Sequence, residues 1–287
     1  MNCRSIDNKT IDRRDVGYAY TGASTRRPTA RSTAFRGLVA TSALLFGFAI
    51  LFLSAAAAGA ANDSPAEIME RVDEQRGPDT SRARMIMRIF NDADSSDYDR
   101  EIRMLSYGRG SEESLIEFVS PTNIRGLRVL DLDGAIRVFF PSTGRVRNIS
   151  GTARGGSVGG VGGDFTYEDM GGAGFATDYG EFTMEDDSGD TWVISGVPTD
   201  DDSRYSRLVF HIDKERYVPV RIDYYENATQ VKQLDAGRIQ NIAGRYVATD
   251  LTMHNIAENS RTAIRMQDVA WDVSLDSDLF DPNRFHR

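Results

Sequence analysis

The chain has 287 residues, 40% of them hydrophobic and 27% charged, with a formal net charge of −9. Residues 1–61 carry eight Lys/Arg against three acids, so residues 62–287 hold 26 Lys/Arg against 40 Asp/Glu. A body this acidic excludes nucleic acid, whose phosphates need clustered Lys and Arg, and it does not suit an anionic membrane surface.

The first element is apolar. Gly37–Ala58 contains no charge, follows Arg26, Arg27, Arg31 and Arg36, and runs into an alanine-rich end at Ala61. A basic region, an apolar stretch and small residues form a secretory signal, with cleavage expected near Ala60 or Ala61. Its length also suits an N-terminal membrane anchor. Cys3 is the only cysteine and precedes the apolar stretch, so residues 62–287 form no disulfide and offer no thiol nucleophile.

A short helix is predicted next, over residues 65–75. Ser64 and Glu67 have the spacing of a capping box, Pro65 suits the first helical position, and Gly77-Pro78 ends the element. Strand signals then continue almost to the end. Met85, Met87 and Ile89 alternate with Arg84 and Arg88; Ile102 and Met104 with Glu101 and Arg103; Ile116 and Phe118 with Glu117. Leu130, Val138 and Phe140 follow. Later segments are Trp192–Ile194, Leu208–Ile212, Val218–Ile222, Leu251–Met253 and Ile264–Met266. Period-two alternation gives each strand one apolar and one wet face. Turn residues at Gly108–Gly110, Asp133-Gly134, Ser142–Gly144, Ser188-Gly189 and Ala236-Gly237 suggest a meander of hairpins. Weak helix signals stand at 122–125, 167–170 and 277–285.

Residues 151–174 interrupt this pattern with ten glycines. They lack Gly-Lys-Ser/Thr and carry Asp164, Glu168 and Asp169, which argues against a phosphate loop and for a mobile flap or partner-contact loop. Gly155-Gly156-Ser157-Val158-Gly159 matches a nucleophile elbow by letters but lacks the strand and helix that chemistry needs. His211, His254 and His286 have no metal-ligand spacing, and the acidic runs at 92–94, 185–187 and 200–202 read as solvated turns. No catalytic, cofactor or metal site is therefore expected. A carboxylate enzyme built on Glu168 and Asp169 is the rival; loop anchoring is the competing role for the same residues.

Several segments together resemble the LolA-like outer-membrane lipoprotein-sorting protein family. They are Glu117–Gly126, Phe139-Phe140-Pro141 with Arg145–Arg147, Gly162–Asp169, Tyr224-Tyr225 with Lys232, and the ending around Trp271 and Leu279-Phe280. The resemblance covers nearly all of 66–285. It implies a mainly β chain, with a curved antiparallel sheet forming an incomplete β-barrel and helices over an apolar concave face. It also implies a periplasmic location, binding of lipid or lipoprotein acyl chains, and an inner-membrane transporter of the resistance-nodulation-division type as partner. The glycine run 155–163 is richer than the family pattern.

From alternation, the expected cavity residues are Met85, Met87, Met104, Ile116, Phe118, Leu130, Val138 and Phe140. Arg125 is a candidate for a headgroup or an internal ion pair, and Tyr167 and Asp169 for anchoring the glycine-rich loop. The domain expectation is an export segment over 1–61 and one monomeric lipid-binding domain over 62–287. A sensor or interaction subunit with the same sheet is the alternative.

Overall fold

The computed structural model describes residues 63–76, 79–171 and 174–287. The expected export segment lies outside the described residues. Helix α1 (Pro65–Arg76) begins with the expected box: the Glu67 amide donates to Ser64 Oγ at 3.3 Å, and the Ser64 amide donates to Glu67 Oε2 at 2.7 Å. Ile68, Met69 and Val72 point from α1 into the core.

Thirteen strands follow: β1 (Thr80–Phe90), β2 (Arg100–Arg109), β3 (Glu113–Ser120), β4 (Arg128–Leu132), β5 (Ala135–Phe140) and β6 (Arg145–Ile149). After the glycine-rich segment come β7 (Tyr179–Asp186), β8 (Thr191–Pro198), β9 (Arg207–Asp213) and β10 (Val218–Glu226). The last three are β11 (Thr229–Ile242), β12 (Arg245–Asn255) and β13 (Ser260–Trp271). All pair antiparallel in one sheet, in the order β6-β5-β4-β3-β2-β1-β13-β12-β11-β10-β9-β8-β7. Two meanders, β1–β6 and β7–β13, are thus joined by one long-range pair, β1 with β13, which sets Met85 opposite Met266 and Met87 opposite Ile264. The sheet curls without closing into a barrel: Arg154, just after β6, reaches Asp200, before β9, at 2.7 Å.

Adjacent residues sort to opposite faces, as the pleat requires. Ile116, Val129 and Val138 belong to the main core on the concave face; Leu115 and Leu130 belong to a second cluster with Phe280 and Phe285. That second cluster seats the C-terminal segment on the convex side, where Arg128 Nη1 donates to the Phe285 carbonyl at 2.5 Å.

The expected flap is instead part of the core. Val158, Val161 and Phe165 are buried in the main cluster. Arg100 Nη1 donates to the carbonyls of Gly160 (3.0 Å) and Val161 (2.6 Å). Buried Asp164 accepts from Thr262 Oγ1 (2.7 Å) and Ser260 Oγ (2.5 Å) on β13. Glycine is required at 163: its φ is +83°, and a Cβ would stand 2.8 Å from Thr262 Oγ1 and 3.2 Å from Ile89. The same segment supplies helix α2 (Tyr167–Met170) and helix α3 (Phe175–Asp178). Asp73 of α1 accepts from the amides of Phe175 (2.9 Å) and Ala176 (2.7 Å), locking α3 to α1.

One further expectation is corrected. Ala236-Gly237 is not a turn but lies inside β11, with Gly237 opposite Asp250. The polar sequences of β11 and β6, and the acidic, twice-bulged β7, hid three strands from the alternation pattern.

Candidate ligand cavity

A cavity of about 660 Å³ opens mainly over the second meander and reaches Ser81–Ala83 of β1, Ser106 of β2 and the Asp133-Gly134 turn. Ligand sites typically run from ~300 to 1,000 Å³. Its floor comes from Leu208 (β9), Ile222 and Tyr224 (β10), Leu234 and Ala236 (β11), Ala248 and Leu251 (β12), and Met266 (β13). Val72 of α1, Phe165, and Phe175 of α3 roof it. The alternating apolar positions of five strands converge there, and small side chains at 236 and 248 leave the space open.

One wall is polar and built around Asp169. The capping box of α2 fixes that residue: its Oδ2 accepts the Thr166 amide at 2.8 Å, and its own amide donates to Thr166 Oγ1 at 3.2 Å. Lys232 Nζ of β11 lies 2.8 Å from the same Oδ2, and both side chains are at most 3% exposed. Tyr205 donates its hydroxyl to Oδ1 at 2.8 Å. Three elements far apart in sequence are thus tied to one carboxylate. Burial, and then the Asp169 charge, push the Tyr205 hydroxyl far above the usual phenol range. Tyr179 on the same side is raised by burial first and by Glu168, Asp169 and Asp178 next. Glu168 accepts hydrogen bonds from the Ser203 hydroxyl and, at 3.2 Å, the Arg204 amide. With three donors on Asp169 and two on Glu168, the pair is engaged as an anchor rather than free as acid and base. No group of three or more metal-ligating side chains occurs among the described residues, and no described helix is long and apolar enough to cross a membrane.

Solved structures share this architecture. A DUF1329 family protein from Desulfovibrio piger superposes with a TM-score of 0.67 at 23% identity, covering 76% of this chain and 96% of its own. A domain described as outer membrane lipoprotein-sorting, from Vibrio parahaemolyticus, gives 0.66 at 23%, covering 77% and 98%. A LolA superfamily protein from Nitrosomonas europaea gives 0.64 at 20%, covering 77% and 99%. Identities at this level establish the fold alone. No curated protein matches the chain. A family model described as an uncharacterized protein matches residues 110–287, more than half of the chain. The chain belongs to that family of uncharacterized proteins, and its fold is LolA-like.

Within the LolA-like sheet, the residues singled out from the sequence fall mainly in the first meander. Met85, Met87, Met104, Ile116, Phe118 and Val138 are buried in the main core, and Phe140 packs against it. Leu130 faces the convex side. The cavity lining includes none of these eight. Arg125 is exposed and donates to the Val119 carbonyl at 3.2 Å, within its own turn. Tyr167 is buried, and its hydroxyl accepts the Gly159 amide at 3.1 Å, bracing the glycine run. Asp169 is the one chosen residue on the cavity wall. Tyr205 had no signal in the sequence. Lys232 was named only within the family resemblance, and its partner lies 63 residues away.

Proposed function

We propose that this chain is an exported, periplasmic carrier that holds lipid, or the acyl chains of lipoproteins, in the β9–β13 cavity and moves them toward the outer membrane. The observation that carries this reading is the apolar cavity of about 660 Å³ beneath α1 and α3. An acyl chain gains about 0.8 kcal/mol for each CH₂ removed from water. A carrier therefore needs an apolar cavity with one polar wall, and no step of the cycle uses a catalytic residue. The Asp169–Lys232–Tyr205 cluster holds the roof in place in this reading. The Vibrio lipoprotein-sorting domain and the Nitrosomonas LolA superfamily protein, which share the fold, support this reading. An inner-membrane transporter of the resistance-nodulation-division type is the proposed donor or acceptor, with residues 1–61 directing export.

The test is mass spectrometry of lipid extracted from the full chain after mild purification from a bacterial periplasm. A stoichiometric lipid or acylated peptide is the expected result. Folded protein that carries none, and takes up no fatty acid when offered it, contradicts the carrier.

A further inference from the structure

The sheet ends in two edge strands, and they are built differently. On β7 the register against β8 breaks twice, Glu181 sits at a φ of 50°, and α1 and α3 pack against the strand. Bulges and a covering helix are standard ways to stop an edge from pairing. β6 has neither. It pairs with β5 in unbroken register from Ile136↔Ile149 to Phe140↔Arg145, and its first four residues are exposed. Its outer backbone N–H and C=O groups form a ready template for another strand.

The side chains of β6 say what kind of strand fits. Arg145 and Arg147 stand opposite Phe140 and Val138, so both project from the same face. Neither has a carboxylate partner among the described residues; Arg147 only lies over the Phe140 ring, 5.3 Å from its centroid. Unpaired neighbouring arginines stand out in a chain of net charge −9. Val146 projects from the other face and is 37% exposed. A second copy of β6 is a poor occupant, because antiparallel self-pairing sets arginine against arginine. A second copy of β7 is acidic but bulged. A membrane surface would engage only the charges and leave the backbone edge unmatched.

We propose that β6 is the docking edge for an extended acidic segment of a partner protein, with two acids one residue apart facing Arg145 and Arg147 and an apolar residue between them over Val146. The partner strand completes the open ladder, and the arginines select it. Nothing in this docking depends on a lipid in the cavity.

The probe is a capped nine-residue peptide with Glu-Val-Glu at its centre, titrated onto the full-length protein by calorimetry with amide exchange read at 145–149. Expected are binding, slowed exchange on β6, and at least tenfold weaker binding for a Lys-Val-Lys peptide and for an N-methylated Glu-Val-Glu peptide. The double variant Arg145→Glu/Arg147→Glu, at two exposed positions, is expected to reverse the preference in favour of the lysine peptide. Absent binding at millimolar peptide, unchanged binding in the double variant, or unchanged exchange on β6 each overturns the proposal. So does binding to phosphatidylglycerol vesicles without any peptide binding, which assigns the arginines to a lipid surface. Lipid loading plays no part in these readouts, so they fail independently of the carrier reading.

Discussion

The two meanders share one sheet and one concave face, yet the cavity lies mainly over the second and touches the first only at Ser81–Ala83, Ser106 and the Asp133-Gly134 turn. On β1–β6, Met87, Ile102, Met104, Phe118 and Val138 are at most 1% exposed, and Val158 and Val161 of the glycine-rich segment pack into the same cluster. On β9–β13, alanines at 236 and 248 and the raised roof of α1 and α3 leave about 660 Å³. Both halves present apolar residues at alternate positions. What separates a core from a cavity is the segment laid over the strands: its early glycines let it sink onto the first half, and its two short helices hold it away from the second.

Four substitutions or conditions sharpen this difference. Phe118→Ala, in the filled half, is expected to cost about 3–5 kcal/mol in urea unfolding while leaving ligand occupancy of the folded protein unchanged. Lys232→Met leaves the buried Asp169 with two of its three donors and is expected to cost roughly 3 kcal/mol, loosening the roof of the hollow half. Raising the pH attacks the same anchor. The Tyr205 phenol is held neutral in the fold, whereas in the unfolded chain it ionises near pH 10. Stability is therefore fully present below about pH 10 and falls above it by about 1.4 kcal/mol per pH unit from this group. Tyr205→Phe is expected to flatten that slope in unfolding curves taken between pH 9 and 11. Ala248→Phe has the smallest expected effect on stability, under about 1 kcal/mol, because it grows into empty space. Its effect belongs in ligand binding, with at least a tenfold loss of fatty-acid affinity. An overpacked, destabilised Ala248→Phe protein would mean that the second half is no more hollow than the first.

Much of the fold could be read from local patterns. The Ser64/Glu67 box, the Met85–Ile89 alternation and the Asp133-Gly134 turn are each decided by residues within a few positions. β11 escaped because Lys232, Gln233, Asp235 and Gln240 break its apolar rhythm, and Ala236-Gly237 imitates a turn. The cavity was not legible for a different reason. Alternation reveals which side chains share a face, but Met87 on a plugged face and Leu251 on a hollow one carry the same signal. Likewise Asp169 was recognisable as an anchor, while its partners Tyr205 and Lys232 come from other elements and meet it only in the folded sheet.

The most direct test is photolabelling of the full chain with a diazirine-bearing palmitate, followed by peptide mapping. The carrier account predicts label on the β9–β13 floor and roof, at Leu208, Leu234, Leu251, Met266 or Phe175. Label confined to Met87, Phe118 and Val138, or no saturable label on folded protein, would contradict it.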